Sequence, residues 1–461
     1  MPAATHPPLR SGLTRLALAV AAALVLAPAA RAQSLQELYQ AALGYDATYL
    51  SAKALLDSAQ YRVDQVKASK LPSIALDASV GRQGGESGAR LTSGASGSDS
   101  VTNSINGSVS LRQSLYNPAN DALIAQTEKG VESSRSDFEL AEQDLIVRVA
   151  QAYFDVLAAQ DALETARTSQ KAITEQLASA KRNFEVGTAT ITDTREAQAR
   201  SDLARAQEIA AQNDLLAKRI ALDQLVGRNG VVPKGLAVPV ALPPVMPASV
   251  DDWVDKADAE QPNIRKARLG LDVAKLETEK ARAGDKPTVG LSGSVGAGYG
   301  STHQNTWTPA IGFSTSGRTT STGVAIALNY PLFSGFATQN RIKETLLLED
   351  KARNDLEAVR RSVATTTRTA FFGLNSQLEQ VKALEAAESS SQLALEATQL
   401  GYKVGVRVNL DVLNAQTQLF TTRRDLARAR YDVLVNGLKL RQASGQLKAD
   451  DVNAVNQLLA R

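Results

Sequence analysis

Residues 184–198 (FEVGTATITDTREAQ) and 402–416 (YKVGVRVNLDVLNAQ) are two copies of one turn, 218 positions apart. They agree at the aromatic (Phe184, Tyr402), at Val186/Val404, Gly187/Gly405, Asp193/Asp411, Ala197/Ala415 and Gln198/Gln416. Each copy closes one helical run and opens another, with Gly where a helix C-terminus needs a positive φ. Between Pro118 and Gly187 the only breaker is Gly130, so this run alone predicts a helix of roughly 100 Å. Such a helix is stable only by lateral packing against others like it. The return run carries Leu203, Ala210, Ala217 and Gln224 at heptad spacing, with Ala199, Ala206, Asn213 and Ile220 beside them. Small residues on two adjacent seams predict a wall of helices rather than a two-stranded rod.

The duplication extends to what precedes each hairpin. Residues 34–70 read as helix, stopped by Leu71 and Pro72; residues 253–282 repeat it, stopped by Lys286 and Pro287. After each stop the period changes to two. Ile74, Leu76, Ala78 and Val80 alternate with small or polar residues, and Ile105, Gly107, Val109 and Leu111 share a face. This predicts strands at about 73–82 and 101–115, and again at about 287–299 and 321–333. The Gly/Ser-rich stretches 81–100 and 300–321 between them read as mobile hairpin loops. The organisation is then a first repeat at 33–227 (helical hairpin 118–227) and a Pro-rich connector at 228–250. A second repeat at 251–445 (helical hairpin 336–444) and a polar tail at 446–461 complete it.

Residues 1–32 read as a cleaved secretory signal: Arg10 and Arg15 precede an apolar run, and Ala30, Arg31 and Ala32 form a small-x-small site. Its removal takes the formal charge from +3 to zero, which gives no electrostatic reason to expect nucleic acid as a partner. Beyond it no apolar run reaches ~20 residues, so membrane entry requires β-strands. Strands of about ten residues suit an oblique crossing. Four cannot close a barrel, so they must be shared between subunits, and three copies would supply twelve.

In the duplicated order, and in VGT (Val186, Gly187, Thr188), VGV (Val404, Gly405, Val406), ITDT after the first turn, LDVLNA after the second and YPLFSG at 330–335, the chain resembles the TolC family of outer-membrane ducts. The resemblance covers residues 33–447. It implies an α+β membrane protein: a homotrimer sharing a 12-stranded β-barrel, continued by a long α-helical barrel into the periplasm of a Gram-negative cell. The implied function is the exit duct of a tripartite efflux pump or type I secretion system. It is a passive channel opened at its periplasmic tip by a periplasmic adaptor (membrane fusion) protein and an inner-membrane transporter, with no cofactor or metal.

The resemblance also implies site residues. Thr192 and Asp193 in the first hairpin, with Tyr402 and Arg407 in the second, match positions whose polar links hold such entrances shut. Ordinary capping and solvation account for the same residue types, Asp193 as a first-turn acid above all. Asp411 and Asn414, three apart on one helix face, match a constriction where both positions can be acidic. Here Asn414 halves the charge ring, leaving Asp411 to attract cations; an ordinary solvated helix face accounts for the same two residues. Gly187, Thr188 and Gly405 are candidate adaptor-docking points, although a plain helix stop explains the glycines equally well. Tyr116, Tyr330, Phe333 and Phe336 fall where strands become helices, as an aromatic belt against outer-membrane lipid or as packing at the barrel end.

An enzyme has little to work with: beyond residue 32 there is one His, His303, no Cys and no phosphate-loop or nucleophile-elbow motif. A soluble periplasmic adaptor would share the hairpins but has no need of two strand pairs.

Overall fold

The computed structural model describes residues 32–91, 94–237, 242–307 and 310–460. The expected signal segment, up to residue 31, lies outside them. Two compact units divide the chain. One takes the residues up to Leu50 with Ala141–Ala259 and Thr365–Arg461; the other takes Ser51–Leu140 and Glu260–Ala364.

In chain order the elements are α1 (Leu35–Leu43), α2 (Ala47–Lys67), β1 (Ser73–Leu91), β2 (Gly94–Tyr116), α3 (Pro118–Glu185) and α4 (Ile191–Val226). The second half follows the same plan with α5 (Val250–Glu260), α6 (Pro262–Arg282), β3 (Thr288–Trp307), β4 (Ala310–Asn329), α7 (Ala337–Lys403) and α8 (Asn409–Ala443). A short α9 (Ala449–Asn456) closes the chain.

Each expected leading helix is in fact two. Residues 34–70 break at Gly44, where Asp46 turns its carboxylate onto the Tyr49 N–H at 2.8 Å and so caps α2. Residues 253–282 break at Gln261, which caps α6 ahead of Pro262, a residue suited to a first helical position.

The strands are longer than expected, at 19, 23, 20 and 20 residues. The stretches 81–100 and 300–321, read as mobile loops, continue the ladder instead. Arg82 pairs with Asn103, Leu91 with Gly94, and Trp307 with Ala310. Gly and Ser are weak strand formers, but β2 is held from both sides, with β3 paired to it as far as Ser98. The fourth strand stops short of the expected 333, at Asn329, because Pro331 has no N–H to give a ladder. Its follow-on helix starts at Ala337, after Gly335 and Phe336, both at positive φ (62° and 63°).

The sheet runs β1-β2-β3-β4, antiparallel throughout, so one hairpin from each repeat is joined at β2–β3. No described strand pairs with the outer edges of β1 and β4.

In the other unit, α1 buries Leu35, Leu38, Tyr39 and Ala42 against Tyr153 and Phe154 of α3, Leu222 and Val226 of α4, and Leu434 and Leu438 of α8. The connector joins this core through main chain. Gln33 bridges Pro233, Leu236 bridges Leu459, and the Tyr153 hydroxyl donates to the Lys234 carbonyl at 2.8 Å. Arg148 grips Asp46 with both terminal nitrogens, at 2.8 and 3.0 Å, tying α3 to the cap of α2.

Candidate functional site

The sheet is two-faced. Its register puts Ile74, Leu111, Gly293 and Val324 in one cross-strand row, Leu76, Val109 and Val295 in the next, and Val80, Ile105 and Tyr299 further along. Leu291 with Ile326 and Val289 with Leu328 extend the same face toward the helices. The opposite face carries Asp77, Ser79, Ser108, Asn106, Ser294, Gly296 and Ser321. Between the rows of Leu328 and Val80 lie ten residues of strand, about 33 Å at ~3.3 Å each. Tilted by roughly 40°, that gives an apolar band about 25 Å high, the height such a band needs in an outer membrane. Past Val80 the continuous apolar side gives way to a mixed one, with Arg82, Asn103, Ser301 and His303 following beside Val101. Among the described residues no helix is long and apolar enough to cross a membrane.

At the helical end of the sheet Tyr116 ends β2, and Tyr330, Phe333 and Phe336 follow β4. Phe333 and Phe336 meet edge to face at 5.5 Å, and both rings are exposed in the single chain.

The two tip turns have one backbone design. In the first, Thr188 N–H donates to the Asn183 carbonyl at 2.8 Å and Gly187 N–H to that of Phe184 at 3.0 Å. In the second, Val406 N–H donates to Gly401 at 2.9 Å and Gly405 N–H to Tyr402 at 3.1 Å. Gly187 and Gly405 hold φ of 78° and 81°, where a side chain would be strained. Both turns, with Thr188, stand exposed.

Their side chains have diverged. Thr190 and Asp193 form a reciprocal capping box. The Thr190 hydroxyl accepts from the Asp193 N–H at 3.2 Å, and the Asp193 carboxylate accepts from the Thr190 N–H at 3.0 Å and hydroxyl at 2.8 Å. The second-repeat counterpart of Thr190 is Val408, which offers no side-chain cap. Asp411 is thereby released and faces Arg407, 3.6 Å away in the tip turn just before its helix.

Within the chain the four expected gate residues do not link to one another across the hairpins. Tyr402 accepts from Asn183 Nδ2 at 3.0 Å, Arg407 meets Asp411, Asp193 serves its own cap, and Thr192 is exposed. Asn414 accepts from Arg200 Nη2 at 3.0 Å, so its amide points to α4 while Asp411 does not. Asn183 and Arg200 were missed in the sequence. Each is an ordinary polar residue on a helix face, and only the packing of α3 and α4 against the second hairpin gives it a partner. A third tie, from Gln176 to the buried Asn409, joins α3 to the first turn of α8.

A chain with long paired helices, matched tip turns and a sheet apolar on one face and polar on the other defines a subunit of an outer-membrane channel. The model of the outer membrane efflux protein family matches residues 38–228 and 253–446. The chain belongs to that family. It is 33% identical over 443 residues to outer membrane protein TolC of Vibrio cholerae, covering 96% of this chain and 97% of the relative. It is also 33% identical over 396 residues to the alkaline protease secretion protein AprF of Pseudomonas aeruginosa, covering 84% and 79%. Among solved structures, a membrane protein from Pseudomonas aeruginosa superposes with a TM-score of 0.74 at 20% identity, covering 90% of this chain and 91% of that one. The CmeC channel of Campylobacter jejuni does so at 0.72 and 16%, covering 92% and 90%. The protein is an outer-membrane exit duct of the efflux and type I secretion kind, not an enzyme. Ducts of this kind work with adaptor and inner-membrane transporter partners.

Proposed function

We propose that three copies of the chain close one 12-stranded barrel, and that the paired tip turns form the gate of the channel. One observation carries the reading: the four-stranded sheet has an apolar and a polar face but two unpaired edges. An open edge is not tolerated in lipid, so β1 and β4 must find partners in other copies. Asp411 and, less directly, Asn414 line the narrowest point. Tyr402, Arg407, Thr192 and Asp193 hold the tips in the closed arrangement, the last two through contacts to neighbouring copies. Gly187, Thr188 and Gly405 offer exposed turn backbone to a periplasmic adaptor hairpin, which opens the tip when an inner-membrane transporter is engaged. Tyr116, Tyr330, Phe333 and Phe336 sit against the inner lipid interface.

The protein extracted from membranes in mild detergent is expected to have the mass of three chains and to conduct in planar bilayers. A folded, monodisperse single chain would end this reading.

A further inference from the structure

The duplication fixes how two copies of the chain meet, residue by residue. Two offsets relate the strands of the repeats: 215 from β1 to β3 (Pro72 to Pro287) and 217 from β2 to β4 (Leu111 to Leu328). Applied to the first hairpin, they reproduce the second. Ser73 paired with Arg112 becomes Thr288 paired with Asn329, and Leu76 with Val109 becomes Leu291 with Ile326; both of these pairs are observed. The same mapping can be applied to the joint between the repeats. There β2 lies beside β3, with Val109 opposite Val295 and Leu111 opposite Gly293. The counterpart of that joint is β4 beside the β1 of another copy.

We propose that β4 pairs with β1 of a second copy in this register, with Ile326 opposite Val80, Leu328 opposite Ala78 and Ala327 opposite Ser79. The inference rests on the shared-barrel reading and specifies the seam within it. Three features support it. The direction is right, because alternation in the sheet makes the next strand antiparallel to β4. The faces match: Ile326 and Leu328 join the apolar side to Val80 and Ala78, while Ala327 and Ser79 continue the polar one, whereas a one-residue slip would invert every side chain. Both edges also carry bare apolar residues in the single chain, with Val80 82% and Ile326 70% exposed. The nearest competitor that keeps the faces is a slip of two residues. It sets Ile326 opposite Ala78 and brings Arg318 opposite Glu86.

The chain has no cysteine, so paired cysteines report the register without background. Directly opposed residues lie about 4.5–5.5 Å apart and diagonal ones about 7–8 Å. A disulfide spans Cα separations up to about 6.8 Å. Ile326→Cys with Val80→Cys, oxidised in outer membranes, is expected to give a reducible ladder up to three chains on boiled gels. Leu328→Cys with Ala78→Cys should do the same and covers the chance that one pair impairs folding. Ile326→Cys with Ala78→Cys should link several-fold less. Stronger linking in that last pair, among heat-labile trimers, would overturn the register and leave the trimer standing. Absence of any trimer on unboiled gels would remove the shared-barrel reading and this inference with it.

Discussion

Asn183 Nδ2 donates to the hydroxyl of Tyr402 at 3.0 Å, tying the tip of the first helical hairpin to the tip of the second. Arg407, five residues further along, belongs to a different contact, the pair with Asp411 at the start of α8. Tyr402 and Arg407 therefore belong to two separate devices. Tyr402→Phe and Asn183→Ala each remove the same bond, worth roughly 0.5–1.5 kcal/mol. Each should raise the resting conductance in planar bilayers, and the double variant should do little more than either alone. Arg407→Ser, by contrast, should add its effect to that of Tyr402→Phe. Strong coupling between Tyr402→Phe and Arg407→Ser would show a single latch reaching across both.

The Arg200 contact changes what an acid at position 414 can do. Asp411→Asn should weaken block by divalent cations, since the carboxylate's only partner among the described residues, the exposed Arg407 at 3.6 Å, forms a loose surface pair that leaves it open to a cation. Asn414→Asp alone should change block little, because Arg200 already sits 3.0 Å from the side-chain oxygen and would neutralise the new charge. Only with Arg200→Gln should the second carboxylate deepen the block. Titration of single-channel current with a divalent cation decides this; a deep block from Asn414→Asp alone would contradict the assignment.

Val408 leaves the first turn of α8 without the side-chain cap that Thr190 gives α4. Val408→Thr restores the hydroxyl three residues before Asp411 and should draw that carboxylate into a capping box, away from Arg407. The gain is about 1 kcal/mol of helix stability per chain, seen as a higher melting temperature. Cation block should fall with it, as in Asp411→Asn. A higher melting temperature with unchanged block would mean that Asp411 is not the blocking group.

Much of this was legible in the chain. The matched turns, the change of period after Pro72 and Pro287, and the clean run from Pro118 to Gly187 gave the helices and four strands. The strand ends were not legible. Glycine and serine at 81–100 look like loop because local propensity favours it, whereas pairing of β1 with β2 along the whole stretch, joined by β3 from Ser98 on, overrides propensity. At the tips the sequence shows which polar residues are present but not which partners they take within the chain. Asp193 suits a gate link and a helix cap alike, and in the folded chain its carboxylate accepts from Thr190. The links from Asn183 and Arg200 leave no periodic trace, because each depends on one helix packing against another far away in sequence.

Asp161 gives the helical core a pH dependence of definite sign. Burial raises its carboxyl above the ordinary carboxylate range, and the Tyr431 hydroxyl, donating at 2.6 Å, pulls it part of the way back. The folded chain therefore keeps this proton to higher pH than the unfolded chain does. The group's contribution to stability is complete below the unfolded value of about 4, declines as pH rises through the raised folded value, and is constant above it. Asp161→Asn removes the dependence, so the variant should gain on the wild type as pH rises from about 4 toward 7. Tyr431→Phe should steepen the wild-type decline, because it leaves a buried carboxylate without its donor, at a cost of about 1–3 kcal/mol. Asp46 runs the other way. The Arg148 guanidinium holds it below the ordinary range, so its contribution is present above the unfolded value and lost as pH falls through the folded one. Asp46→Asn should accordingly lose most at neutral pH and converge on the wild type in acid. Melting of the detergent-purified protein, followed by helical circular dichroism across this range, checks both. Parallel curves for the wild type and Asp161→Asn would show that the carboxyl stays ionised in the fold and that its bond to Tyr431 outweighs its burial.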